Sequence, residues 1–210
     1  GYITGVTKTS AWYNYEKGVR NFCGNKLPEG VRKDQKLARP IVTPTTKLEK
    51  HDRSISRDEA IQEGLIDAGS FDQIAEICLK LFQRGVEHAR SRGLILVDTK
   101  YEIGRLGGEF VLTDEVHTPD SSRYWFVDTY EELFAAGKEQ RKIDKEYVRE
   151  WLAARGFTGD GTPPALPDDV RLEAARRYIS AYETVTGKEF LVTEEPILER
   201  VEKALAPYRK

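Results

Sequence analysis

The sequence contains no methionine, two cysteines and no long apolar run. Cys23 and Cys78 lie far apart, with no C-x-x-C pair and no disulfide framework, which leads us to expect a reduced, intracellular setting. Leu94–Val97 is the longest relevant apolar stretch; a membrane-crossing helix needs about 20 such residues. The first residues show no basic-then-apolar leader pattern, so the expected compartment is the cytoplasm. Charge of one sign is also lacking. The formal net charge is −2, which gives no global attraction to nucleic acid or an anionic membrane but leaves room for a local anion site. An open reading frame starts with methionine, and the opening residues, "GYITGVTKTSAWYNY", are too aromatic for a frayed terminus. A preceding segment is therefore expected.

The 210 residues are 39% hydrophobic and 32% charged, the balance of a folded, water-compatible chain rather than a disordered one. Such a length suits one large domain or two small ones and buries roughly two-thirds of its unfolded surface. Residues 11–17 read as a short helix, and 24–40, rich in Pro, Gly and charge, as a loop. Residues 40–47, "PIVTPTTK", read as a strand broken by Pro44. Ser56 with Glu59 three residues on forms a capping box. Phe71, Ile74, Cys78, Leu81, Val86 and Ala89 recur at near-helical spacing, predicting a helix over 70–92 that Gly93 ends. A strand at 94–97, a hairpin and a turn at 117–123 follow. Further helices are predicted at 129–137, 142–155, 168–187 and 194–206. There is no internal repeat. Strands cluster centrally and helices dominate the second half, which indicates an α+β architecture of central antiparallel strands flanked by helices.

The charges are concentrated in the hairpin. Alternation along a strand puts Asp98, Lys100 and Glu102 on one face. A three-residue loop over 107–109 would set Leu106 against Phe110 and Glu102 against Asp114. Two carboxylates directly opposed destabilise a ladder, and a divalent cation between them removes that cost; hard oxygens with open positions suit Mg²⁺. Lys100 would then serve phosphate or carboxylate groups. The same charges also suit a solvated hairpin face. Next, "TPDSSRYW" is turn chemistry from which Arg123 emerges beside hydroxyls and amides, an anion cradle or a plain turn. Lys145 and Arg149 stand at i, i+4 and, with Arg123, would make a three-cation phosphate site; a solvated helix face is the alternative. Finally, Thr45, Thr46, Lys47, His51 and Asp52 form a polar cluster after the predicted strand. His51, His88 and His117 show no metal-ligand spacing, and H-E-x-x-H, G-x-S-x-G and Walker A motifs are all lacking.

Taken in order, "GYITG…SAW", "LPEG", "PIVTPTTK", "HDRSIS", "DTKYEIG", "DEVHTPDSSRYW", "DKEYVREWL" and "YISAYETVTG" resemble SAICAR synthetase, phosphoribosylaminoimidazole-succinocarboxamide synthase, from Gly1 to about Phe190. The resemblance implies a SAICAR synthetase-like α+β fold, here its ATP-grasp or kinase-like C-terminal portion over 1–190, with 191–210 an appended amphipathic helix. It implies an ATP-dependent ligase of purine biosynthesis that joins L-aspartate to carboxyaminoimidazole ribotide through an acyl phosphate, with Mg²⁺ on the ATP phosphates. It further implies that Glu102 and Asp114 hold Mg²⁺, and that Lys100 and Asp98 are catalytic. Arg123, Lys145 and Arg149 would grip the ribotide phosphate, with Asp120 and Ser122 shaping the turn. Ser10 matches a serine near the substrate, and Lys47, His51 and Asp52 a segment on the nucleotide or aspartate side.

The family's ATP-covering N-terminal lobe, with its Gly-Lys-x-Arg-Asp stretch, has no match here, so that lobe is expected in cis or in trans. The alternative is a ribotide-binding fragment or split-gene half, not catalytic by itself. A kinase-like phosphotransferase would share the acidic pair, but H-R-D and D-F-G motifs are lacking.

Overall fold

A computed structural model of the chain describes residues 1–47, 52–143, 146–157, 159 and 161–209. The expected His51 and Lys145 lie outside the described residues. In chain order the elements are β1 (Tyr2–Ile3), α1 (Ala11–Glu16), β2 (Asn21–Phe22), β3 (Asn25–Lys26), β4 (Gln35–Lys36), α2 (Arg57–Gln62), α3 (Ala68–Ser91), β5 (Leu94–Thr99), β6 (Glu102–Leu106), β7 (Glu109–Thr113), β8 (Ser122–Phe126), α4 (Val127–Ala135), α5 (Glu146–Ala153), α6 (Asp168–Thr186) and α7 (Ile197–Leu205). Among the described residues the strands pair two by two, all antiparallel: β1 with β4, β2 with β3, β5 with β8 and β6 with β7. This is the expected α+β arrangement. Among the described residues no helix is long and apolar enough to cross a membrane.

The β5–β8 pair is the centre, and its alternation sorts side chains onto two faces. Leu94, Leu96 and Tyr124 pack with Phe82 and Ala89 of α3, Ala181 of α6 and Ile143. Val97 and Trp125 pack the other way, with Tyr130 of α4, Tyr2 and Phe134. Helices thus cover both faces, and Leu94, Leu96, Val97 and Trp125 are fully buried. A separate cluster of Ile3, Tyr15, Phe22, Leu27 and Val31 holds β1, α1 and the short strands together.

Local chemistry explains the boundaries. Asp67 caps α3 by accepting from the Ser70 amide, so the helix starts before Ser70, the expected first residue. At α2 the capping box forms as read: the Ser56 side chain accepts from Glu59 N, and the Glu59 carboxylate accepts from Ser56 N. The segment 40–47 forms no strand. It makes a single bridge, Thr45 with Ser54, because Pro40 and Pro44 remove two amide donors. Residues 142–143 do not begin a helix as expected. Lys142 bridges Trp125, and Ile143 N donates to Tyr124 O at 3.1 Å, so this stretch runs beside β8 before α5 starts.

The hairpin register also differs from expectation. Leu106 pairs with Glu109, Gly104 with Val111 and Glu102 with Thr113, not with Asp114. The turn has two residues, Gly107 (φ 58°) and Gly108 (φ 91°), the doubly positive φ of a type I′ turn, whose twist matches the flanking strands. A three-residue loop would have left Gly-Gly half used. Asp114 falls just past β7 with φ 64°.

Candidate functional site

In β5 the register shifts between Leu96 and Asp98, a β-bulge. Bulges re-aim side chains at sheet margins, and beyond this one Asp98 stands opposite Arg123 of β8, the two bridging at 2.6 Å. Arg123 is thereby held at the mouth of the strand pair. Gly5 brings a further group to it: a Cβ there would stand 2.4 Å from Ser10 Oγ and 3.2 Å from Arg123 NH1, so only glycine lets these two converge. Ser10 is the N-cap of α1, but its hydroxyl does not cap; it bonds Thr7 Oγ1 at 2.7 Å. Ser10, Asp98 and Arg123 therefore form one polar group.

The turn beside it is built on Thr118. The Thr118 hydroxyl donates to Glu115 at 2.7 Å and accepts from the amides of Asp120 and Ser121. Ser122 is buried, and its hydroxyl donates to Thr99 Oγ1 of β5 at 2.8 Å. Asp120 is exposed at the turn's apex.

A second charged group lies at the β5–β6 junction. Glu102 accepts from Lys100 at 2.8 Å through one oxygen and from Lys47 through the other. The two ammonium groups hold its carboxyl down at about 2, and Glu102 in turn raises Lys100. Asp52 and Asp114 are near enough to stabilise the Lys100 charge further. Mg²⁺ takes one or two protein carboxylates and completes its shell with phosphate and water. Glu102 and Asp114, hard oxygen donors in one charged cluster, fit such an ion. Among the described residues no group of three acidic, His or Cys side chains would hold a metal by itself.

The two groups are stitched together. Lys100 N donates to Ser121 O at 2.9 Å. Next along the chain, the Tyr101 hydroxyl lies 2.5 Å from His117 Nε2, and the His117 carbonyl accepts from the Tyr124 hydroxyl at 2.6 Å. Burial lowers the His117 pKa and raises that of Tyr101, so both are neutral near pH 7. Thr118, Tyr101, His117 and Gly5 were missed from the sequence. The available signal was position: each touches a quoted motif. Arg149 sits on an exposed part of α5. A cavity of about 480 Å³ lies elsewhere, near α5 and α6, with Lys142–Glu150 and Arg177–Glu173 pairs among its walls. None of the described candidate residues lines it.

The family model for SAICAR synthetase matches residues 1–164. A phosphoribosylaminoimidazole-succinocarboxamide synthase from Legionella pneumophila (strain Paris) is 49% identical over 198 residues, 93% of this chain and 64% of that protein. The SAICAR-synthase from Saccharomyces cerevisiae, solved in complex with SAICAR, superposes with a TM-score of 0.74 at 35% identity, over 91% of this chain and 60% of that one. A SAICAR synthetase solved in complex with ADP gives a TM-score of 0.56 at 27% identity, over 77% of this chain and 57% of that one. The chain thus spans somewhat under two-thirds of the length of these relatives. With the quoted motifs in order and the likeness running through most of its residues, the chain belongs to the SAICAR synthetase family.

Proposed function

We propose that the chain carries the ribotide and metal side of an ATP-dependent, amide-forming ligase, which condenses L-aspartate with carboxyaminoimidazole ribotide to give SAICAR in purine biosynthesis. The observation that carries this is the stitching of two charged groups. Lys47, Lys100 and Glu102 on one side are tied through the Lys100 amide to the turn that presents Arg123 on the other. One group suits a polyphosphate and the other a phosphomonoester, and a two-substrate ligase needs both at fixed separation.

In this reading the Lys47 and Lys100 ammonium groups exchange Glu102 for phosphate oxygens, which frees the Glu102 carboxylate. Glu102 and Asp114 would hold Mg²⁺, which when bound neutralises charge on the transferring phosphoryl group. Lys100 would stabilise charge developing where the ribotide carboxylate is activated, with Asp98 as the group that sets Arg123. Arg123 would grip the ribotide phosphate, joined by Lys145 and by Arg149 of α5, while Asp120 and Ser122 hold the turn. Ser10 would contact the same substrate. Lys47, His51 and Asp52 would face the nucleotide or aspartate. Residues 1–190 would be the C-terminal portion of the ligase domain and 191–210 an appended helix, with an N-terminal lobe over ATP in cis or in trans. The two free cysteines fit a cytoplasmic setting.

The test is ADP release by the full-length protein with ATP and Mg²⁺, adding aspartate and the ribotide separately and together. Release that requires both is expected. Ribotide binding without any ADP release would favour a non-catalytic ribotide-binding module, and release indifferent to the ribotide would refute the ligase.

A further inference from the structure

We propose that His117 and Tyr101 are positioning residues for the proposed ligase: the hydrogen bond between the Tyr101 hydroxyl and His117 Nε2 sets the separation between the junction that carries Lys100 and Glu102 and the turn that carries Arg123. The inference rests on the ligase reading above.

Three residues from elsewhere in the fold, Tyr101, Tyr124 and Gly85, meet at His117. Tyr101 lies between Lys100 and Glu102, and its hydroxyl is 2.5 Å from His117 Nε2. The two rings also meet edge to face, with centroids 5.5 Å apart. His117 directly precedes Thr118, the hydroxyl that organises the turn, and has a left-handed backbone, φ 57°. Few residues with a side chain adopt that backbone, and the contacts around His117 hold it there. Its carbonyl is tied to Tyr124 of β8 at 2.6 Å. Finally, α3 provides the space. A Cβ at Gly85 would stand 2.4 Å from His117 Cε1, so the ring lies directly against the bare helix backbone.

Neither side chain touches Glu102, Asp98 or Arg123 through any bond described here. Their action is geometric. The Lys100–Ser121 backbone bond fixes one point between the two groups. The Tyr101–His117 bond fixes a second, and two points define an orientation where one allows rotation. Misplacing reacting groups by about 1 Å costs on the order of 100-fold in rate.

The experiment uses the full-length protein and three variants: Tyr101→Phe, His117→Ala and His117→Gln, the last keeping an acceptor near the place of Nε2. Steady-state kinetics, ribotide affinity by calorimetry and thermal unfolding are measured for each, with kinetics run well below the unfolding temperature. Tyr101→Phe and His117→Ala should lower kcat by about 10- to 100-fold, with KM for ATP and ribotide and the calorimetric affinity within about twofold. His117→Gln should recover at least part of the lost kcat. A purely structural pair would lower the unfolding temperature and leave kcat alone, and that result overturns the proposal. Equal damage from His117→Ala and His117→Gln overturns it as well. Wild-type protein that binds ribotide but never releases ADP would overturn the ligase reading first and this inference with it, whereas an active wild type with kinetically silent variants overturns this inference alone.

Discussion

Gly85 lies in the middle of α3, where glycine ordinarily costs a helix about 1 kcal/mol relative to alanine. On an exposed helix face Gly→Ala is stabilising, and the geometry here reverses that sign. A Cβ at Gly85 would stand 2.4 Å from His117 Cε1, 2.7 Å from His117 Nε2 and 2.7 Å from Leu96 Cδ2. Carbon atoms in contact sit at roughly 3.5–4.0 Å, so the neighbours must retreat by about an ångström. Neither can do so freely. Leu96 is 1% exposed within the main core. His117 is held by Tyr101 on one side and through its carbonyl by Tyr124 on the other. Overpacking of this kind costs about 1–3 kcal/mol, and a shift this large belongs in the upper half of that range. After subtracting about 1 kcal/mol of regained helix propensity, Gly85→Ala should destabilise by about 1–2 kcal/mol. In urea, with a slope of about 2 kcal/mol per molar, the midpoint should fall by roughly 0.5–1 M. Gly69 of the same helix is the control, since its added Cβ meets only Asp67 Oδ1 at 3.4 Å. Gly69→Ala should be neutral or mildly stabilising. A Gly85→Ala midpoint at or above wild type would refute the close approach of helix and imidazole.

Two further perturbations test the charged groups. The Glu102 carboxyl is held at about 2, against an ordinary 4.5, by Lys100 and Lys47. A depressed carboxylate contributes stability that is complete above the unfolded value and is lost as pH falls through about 4.5 toward about 2. Glu102→Gln should therefore flatten the acid limb of stability against pH, measured by denaturant unfolding between about pH 6 and pH 3; parallel limbs for the two proteins would show that the lysines do not hold it. Asp98→Asn removes the counter-charge from Arg123, an ion pair partly open to solvent, so the loss of stability should stay under about 1 kcal/mol. Activity should nevertheless fall by about 10-fold or more, with a higher KM for the ribotide, because Arg123 loses the partner that aims it. Unchanged ribotide kinetics would remove Arg123 from the binding site.

Helices were legible wherever the rule was local. The α2 capping box needs two residues three apart, and it forms as read. Of the apolar positions read along α3, Val86 and Ala89 pack with β5, together with Phe82, which the spacing did not include. The hairpin shows where local reading loses resolution. Strand pairing moves every side chain with a one-residue slip, and the choice between a two- and a three-residue loop set Glu102 against Thr113 instead of Asp114. The acidic pair read as opposed carboxylates is in fact a carboxylate between two lysines, one of which, Lys47, comes from a segment far away in sequence. That contact could not be read from strand alternation, because alternation says which residues share a face and nothing about what arrives from elsewhere. The same holds for Gly5 and Gly85. Each looks like an ordinary glycine until a distant side chain fills the space its missing Cβ leaves, Arg123 and Ser10 in one case and His117 in the other. The motifs drew attention to the charges. The empty Cβ positions, which carry no charge and no pattern, decide how closely those charges can be brought together.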